Sequence, residues 1–409
     1  MKVLVFGSCN IDYVYRLDHI VEKGETVTTC NFEIFPGGKG LNQSIAAAKA
    51  GADVYFAGCV GKNSEILTDI LSENNVDISL IDKVAKKNGH AIIQVDRNGE
   101  NSIFLYPGSN EKITKEYVDF VLGNFNSGDF ILLQNEINNL GYIVEKAFQK
   151  GMQIVLNPSP FNEKLNSINF NHISYLILNE VELKTISQSD NIKSGLKLIK
   201  SSYPNIKVML TLGENGCVYT DNETKIYRAA FDVDVIDTTA AGDTFTGYFV
   251  AELTTNKTYE EILKFSSAAS ALSISKKGAA VSIPDRKDVI SNIKNLGARS
   301  TNFALICLQK TINCYINQNI KTANLKDLSE LLGYSTDYTG KLVKKLTGKP
   351  FSEVLQIKRC QSAAEKLLNT DLSISQIIEQ TGYKNENFFR TKFKSQFGKN
   401  PLEYRKNKF

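Results

Sequence analysis

Asp237-Thr238-Thr239-Ala240-Ala241-Gly242-Asp243-Thr244-Phe245 is the stretch whose reading decides the fold. Small residues lead directly into helix-forming sequence, so the spacing predicts a helix start near 240–242. The first N–H groups of a helix lack intrahelical partners, and the helix dipole adds positive potential there. Ala240, Ala241 and Gly242 leave those groups unobstructed, which suits charge developing on a transferring phosphoryl group. Asp243 stands just inside the start, where its carboxylate can accept a proton from a substrate hydroxyl or simply cap the helix.

Upstream of this segment, short β-rich runs alternate with helical ones. Val3–Gly7, Asp53–Ala57, Asp129–Leu133, Gln153–Leu156, Tyr175–Leu178 and Lys207–Thr211 read as strands, with helices such as Leu41–Ala50 and Leu140–Lys150 between them. Such alternation predicts an α/β fold with a mostly parallel sheet flanked by helices. Thr26–Phe35, and the pair His90–Asp96 and Asn101–Tyr106 around an Asn98-Gly99 turn, break the rhythm and predict a small β-sheet lid.

Two further motifs sit early in the chain. Asn10-x-Asp12 follows the first strand, at the strand end where open α/β sheets bind ligands. Gly37-Gly38-Lys39-Gly40-Leu41-Asn42-Gln43 then runs into a helix, and its glycines allow close backbone approach to a ligand. It lacks the Gly-Lys-Ser/Thr ending of a Walker A loop.

In order, these segments resemble the PfkB family of carbohydrate kinases, with ribokinase-like enzymes the best match. The resemblance also rests on Asn135-Glu136, Asn157-Pro158-Ser159-Pro160, Asn179-Glu180-Val181-Glu182, Thr211 to Gly216, and Lys276-Lys277-Gly278-Ala279. It covers about the first 290 residues and implies a ribokinase-like fold. By resemblance, Asn10, Asp12, Gly38, Lys39, Asn42 and Glu136 hold sugar hydroxyls, Asp243 is the catalytic base, and Ala240, Ala241 and Gly242 form the anion hole. Asn179 and Glu182 fall near the ATP phosphates and Mg²⁺; Thr211, Gly213 and Gly216 fall in the nucleotide loop, and Ser267 beside the adenine. Asp237, with Thr239, Ser273, Lys276, Gly278 and Ser282, falls where such enzymes bind an activating monovalent cation, expected to be K⁺. Three departures stand out: Lys62-Asn63 replace an Asp-Asp pair, Tyr248 replaces a small residue, and Ser267 replaces a His. None removes the proposed base, so a live enzyme with altered nucleotide affinity is expected.

The last third changes character. Residues 296–409 carry 19 Lys and Arg against 9 Asp and Glu, a net +10, whereas residues 1–295 are at −6. A basic, periodic, Phe-rich segment points to a polyanion partner for this part alone. Leu325–Leu332, a Gly333-Tyr334 turn and Ser335–Leu346 read as helix–turn–helix, and Ile374–Thr381, Gly382-Tyr383 and Asn385–Phe397 repeat the pattern. Phe389, Phe393 and Phe397 form an apolar stripe that reads as core. Residues 303–406 resemble the AraC family of transcription regulators, through Gly333-Tyr334-Ser335, Gly382-Tyr383, Phe397-Gly398 and Pro401 among others. The resemblance implies double-stranded DNA as partner, with two recognition helices in successive major grooves. Asp337, Gly340 and Lys341 match base readers of the first helix, and Asn387 and Thr391 those of the second; Lys344, Lys345, Arg390, Lys392 and Lys394 would meet phosphates. Gly340 weakens the first helix, so the second is expected to dominate recognition.

The expected domains are a kinase domain over 1–292, a linker over 293–302, and an all-α, double helix–turn–helix domain over 303–409. Seven scattered cysteines, none in a Cys-x-x-Cys pair, argue for buried thiols rather than disulfides or structural zinc. No apolar run reaches membrane-spanning length and no signal segment precedes the first strand, so a cytoplasmic protein is expected. The function expected is phosphorylation of D-ribose to ribose 5-phosphate, together with DNA binding and transcription regulation. The alternatives are a sugar sensor with negligible turnover, a kinase of a nucleoside (pseudouridine, for example) or of another sugar, or a tail that serves only folding or dimerisation. A homodimer through the lid strands is a further expectation from the resemblance.

Overall fold

The computed structural model describes residues 1–299 and 302–406, so positions 300–301 of the expected linker and the last three residues lie outside the described residues. Two units divide the chain, Met1–Ser300 and Thr301–Phe409.

The strands of the first unit are β1 (Lys2–Phe6), β2 (Asn10–Arg16), β3 (Asn31–Gly37), β4 (Asp53–Val60), β5 (Asp77–Lys83), β6 (Gly89–Val95), β7 (Asn101–Tyr106), β8 (Phe130–Gln134), β9 (Gln153–Asn157), β10 (Tyr175–Leu178), β11 (Lys207–Thr211), β12 (Cys217–Thr220) and β13 (Lys225–Arg228). Nine form one sheet in the order β13-β12-β11-β10-β9-β8-β1-β4-β5. Its pairs are parallel except for the β11-β12-β13 edge. Every side chain of β8 is buried, as a parallel strand covered by helices on both faces requires.

The other four form the lid, in the order β3-β2-β6-β7. Here the structure departs from the sequence reading: Asn10 and Asp12 lie on a lid strand, in register with Gly89 and Ala91 of β6. Alternation along β2 turns Asn10 and Asp12 to one face and Ile11 and Tyr13 to the other. The hairpin β12-β13 is a further departure, because the polar run from Thr220 to Asn222 reads as loop.

Helix Lys39–Lys49 packs against helix Ala241–Leu253, and Gly247 permits the approach. A Cβ there would meet Ala46 and stand 2.6 Å from the Gln43 carbonyl oxygen. Tyr248, whose bulk departs from the family pattern, is buried with its hydroxyl donating to the Pro284 carbonyl at 2.8 Å. Asn63 takes a left-handed conformation (φ 55°), and Asn88 donates to the Lys62 carbonyl at 2.8 Å, holding that turn.

The second unit is helical. Its helix Phe351–Asn369 serves two cores. Phe351, Val354 and Leu355 join Ile312, Ile316, Leu328 and Val343, while Cys360, Ala363 and Leu367 join Ile377, Phe389 and Phe393. Each core supports one helix–turn–helix: Leu325–Leu332 with Thr336–Thr347, and Ile374–Gln380 with Glu386–Phe397. Gly333 ends the first helix in a left-handed turn at φ 69°. Among the described residues no helix is long and apolar enough to cross a membrane.

Candidate active site

Ala240 adopts a left-handed conformation (φ 59°) and starts helix Ala241–Leu253. A non-glycine residue held this way is strained, and such strain tends to collect at functional sites. The Ala241 N–H is taken by the Thr238 carbonyl at 3.2 Å, which leaves Gly242 and Asp243 to supply the open donors of the first turn. A Cβ on Gly242 would meet no protein atom within 4 Å. Packing within the chain therefore does not require glycine there, whereas close approach of a ligand would.

The Asp243 carboxylate is buried and fixed from the facing helix. Its Oδ2 accepts from Asn42 Nδ2 at 3.2 Å, and its Oδ1 from Gln43 Nε2 at 2.8 Å. Gln43 is held in turn, its Oε1 accepting from Gln134 Nε2 at 2.7 Å.

Beside this carboxylate the sugar-site candidates converge. Glu136 accepts from the Ser8 hydroxyl and from the Lys39 N–H, the latter at 3.2 Å. Asn10 Oδ1 accepts from Asn110 Nδ2 at 2.8 Å. Gly38, at φ 93°, lets the start of the Lys39 helix pass the Asn10 backbone, where a Cβ would stand 2.9 Å from its nitrogen. Burial, then the charges of Glu136 and Asp243, push the Asp12 carboxyl up to about 7. Burial also raises Glu136, against the pull of Lys39 and the Ser8 hydroxyl. Lys39 is raised in turn, first by Asp243 and further by Glu136 and Glu182, against burial.

Two cavities meet at the start of the Asp243 helix. The first, about 300 Å³, is lined by the nucleotide candidates Thr211, Gly213, Gly216 and Ser267 and by apolar Phe231, Val233, Phe245 and Ile274. The second, about 240 Å³, holds Lys39, Asn179, Glu182 and Asp243. Thr211, Thr238, Ala241 and Gly242 line both. The cleft thus runs from an apolar end suited to a base, past open helix amides, to a polar end with a carboxylate.

Glu182 and Asn179 cap one another's backbone N–H in a capping box. Burial raises the Glu182 carboxyl, against the Asn179 N–H, the Ser159 hydroxyl and Lys39. No group of three His, Cys, Asp or Glu residues forms a metal cage among the described residues. One buried carboxylate in a polar cavity beside open helix amides fits Mg²⁺, which keeps much of its water and binds through few protein oxygens plus substrate phosphates.

Asp237 joins two loops: Oδ1 accepts from the Thr239 N–H and Oδ2 from the Gly278 N–H, both at 2.9 Å. Burial opposes its charge, but Thr239 and Gly278 donors outweigh it and hold the carboxyl below its ordinary range. The Lys276 N–H donates to the Ser273 carbonyl at 3.1 Å. The buried Ser282 hydroxyl donates to the Ala279 carbonyl at 2.9 Å. Carboxylate, carbonyl and hydroxyl oxygens are the donor set of a hard cation.

In the second unit, Asp337, Lys341, Lys344, Lys345, Asn387, Thr391 and Lys394 are exposed on helices Thr336–Thr347 and Glu386–Phe397. Lys341 Nζ pairs with Asp337 at 2.8 Å, and Arg390 with Glu386 at 2.7 Å. The Thr391 hydroxyl donates to the Asn387 carbonyl at 2.9 Å, and the Asn387 side chain lies on the exposed face.

Sequence reasoning missed Gln43, Ser8, Asn110 and Gln134, the partners that hold the candidates in place. Gln43 stood in the quoted Gly-rich motif, next to Asn42, but its target lies 200 positions away.

Residues 1–286 match the pfkB family carbohydrate kinase profile, and residues 328–407 match a helix-turn-helix domain. The chain is 33% identical over 303 residues to the ribokinase of Haemophilus influenzae, covering 71% of this chain and 98% of that one. Among solved structures it resembles the ribokinase of Thermotoga maritima, with a TM-score of 0.66 and 31% identity over 72% of this chain and all of that one. Arabidopsis thaliana ribokinase, complexed with ribose and ATP, is similar at a TM-score of 0.65 and 27% identity, over 72% and 98% of the two chains.

Proposed function

Since this chain belongs to the pfkB family of carbohydrate kinases, we propose that it phosphorylates D-ribose to ribose 5-phosphate with ATP and regulates transcription through its helix-turn-helix domain. It is an ATP-dependent carbohydrate kinase joined to a helix-turn-helix domain. The observation that carries the mechanism is the Asp243 carboxylate, fixed by Asn42 and Gln43 where the two cavities meet. In this reading Asp243 takes the proton of the sugar's primary hydroxyl, and that oxygen forms a bond to the γ-phosphorus. The bond to the bridging oxygen breaks and ADP leaves. The Gly242 and Asp243 amides stabilise the charge that develops, with Lys39 close by. Glu182 would hold a hydrated Mg²⁺, which when bound would neutralise phosphate charge.

Support for ribose comes from Asn10, Asp12, Gly38, Lys39, Asn42 and Glu136 gathered beside Asp243, and from the relative complexed with ribose and ATP. The Asp237 loops are the proposed K⁺ site, tested by turnover with K⁺ exchanged for a bulky organic cation. The lid register puts Phe32, Ile34, Phe104 and Tyr106 on one face, each about half exposed. An apolar face of this kind marks an association surface, proposed as the homodimer contact and tested by sedimentation. DNA contact is assigned to an AraC-type pair of recognition helices, Asn387 and Thr391 reading bases and Lys344, Lys345, Arg390 and Lys394 meeting phosphates.

The deciding experiment is ADP production from Mg²⁺-ATP, K⁺ and D-ribose by the wild type and by Asp243→Asn. Ribose-dependent turnover lost in the variant supports the reading. Absence of turnover across a sugar and nucleoside panel, with sugar still bound, would instead make the kinase fold a sensor.

A further inference from the structure

We infer that Arg299, in the chain segment that leads into the second unit, is a nucleotide-binding residue and makes that segment part of the ATP site. Residues 297–299 fell within the expected linker, yet they dock along residues 230–232. Phe231 and Ala298 form an antiparallel bridge. The Asp232 N–H donates to the Gly297 carbonyl at 2.8 Å, and the Arg299 N–H to the Ala230 carbonyl at 2.9 Å. This places Arg299 in the wall of the 300 Å³ cavity, together with Gly213, Glu214 and Phe231.

Its guanidinium is oriented by two carboxylates, Glu214 at 3.1 Å and Asp232 at 3.2 Å. Both carboxylates are largely exposed, and ion pairs of this kind add little to stability. They aim the group rather than hold the fold together. A guanidinium carries five N–H donors and a flat face, so two such contacts leave capacity for a ligand. Arg299 lines the apolar cavity but not the polar one that contains Asp243. Its partner is therefore the nucleoside half of the nucleotide, by stacking on the base or donating to it, rather than the transferred phosphate.

Two residues beyond Arg299 the second unit begins. A nucleotide that contacts Arg299 stabilises the docked segment by mass action.

The inference rests on the reading of this cavity as the nucleotide site, and the test separates the two. ADP binding is measured by calorimetry on the full chain, for wild type, Arg299→Ala and Arg299→Lys, with ribose binding as the check of folding. Arg299→Ala is expected to weaken ADP about tenfold, between the sizes of an exposed and a fully desolvated cation–aromatic contact. Arg299→Lys should recover only part of the loss, and KM for ATP should rise while KM for ribose stays put. In the wild type, ADP should slow hydrogen exchange at the amides of Asp232 and Arg299. Wild-type ADP binding with both variants unchanged would overturn the role of Arg299 alone. A wild type that binds ribose but no ADP would overturn the nucleotide reading of the cavity and this inference with it.

Discussion

Gln43 Nε2 donates to Oδ1 of Asp243 at 2.8 Å, across 200 residues of chain. Asn42, its neighbour, holds the other carboxylate oxygen. Two amides therefore fix both the position and the rotation of the proposed base.

Removing the Gln43 amide should misplace the carboxylate without touching the sugar. Ångström-scale misplacement of a reacting group can cost about 10² in rate, so Gln43→Ala should lower kcat by about that factor while KM for ribose changes little. Asp243→Asn should cost about 10²–10⁴ in kcat, the range for general base catalysis. Steady-state kinetics on both variants decides it. A Gln43→Ala enzyme with normal kcat would remove the amide from the catalytic argument.

Gly247 tests the packing that brings those amides to Asp243. A Cβ at this position would collide with Ala46 and press on the Gln43 carbonyl oxygen. Overpacking of this kind costs roughly 1–3 kcal/mol, so Gly247→Ala should lower the urea midpoint of the kinase unit and reduce kcat together. A variant as stable and active as wild type would show that the two helices have slack the contact distances do not suggest.

The position of Gln43 shows why part of the site was legible in sequence and part was not. Asp243 and the small residues before it could be read because helix starts and glycine loops are local features. Which helix faces that start is a tertiary fact, and the amide of Gln43 carries no mark of its target. Asn10 and Asp12 were read as strand-end residues, although Ile11, Tyr13 and Tyr15 between and beyond them already alternate as in a lid strand. The hairpin β12-β13 was lost among Thr220, Asp221 and Asn222, whose polar run reads as loop. Residues 297–299 look like linker because an isolated bridge to Phe231 depends on where residues 230–232 pass, not on their own composition.

Asp12 should set a pH dependence of opposite sign for stability and for sugar binding. Its carboxyl is pushed up to about 7 in the folded chain, against ~3.9 in an unfolded one. Between these values the native state holds a proton that the unfolded state has released, so this group's contribution falls as pH rises through 7. Ribose affinity should instead rise over the same interval, because the charged carboxylate is the stronger hydroxyl acceptor. Asp12→Asn should therefore be more stable than wild type at pH 8 and bind ribose more weakly. Thermal melts and ribose titrations from pH 5 to 8 check both signs. A melt series in which the variant and wild type keep the same pH slope would place the Asp12 proton elsewhere.

Two substitutions on the exposed face of helix Glu386–Phe397 separate base reading from phosphate contact. Asn387 carries an amide that can bond an adenine edge in two places, worth about 1–3 kcal/mol against the wrong base. Lys394 offers only charge. Asn387→Ala should weaken binding to the cognate duplex and leave binding to a scrambled duplex nearly unchanged. Lys394→Ala should weaken both alike and reduce the slope of log affinity against log salt by about 1. The first recognition helix should respond less, because Asp337 already engages Lys341 at 2.8 Å and repels phosphate. Equal loss on cognate and scrambled DNA for Asn387→Ala would make this helix a phosphate clamp and move sequence reading to helix Thr336–Thr347.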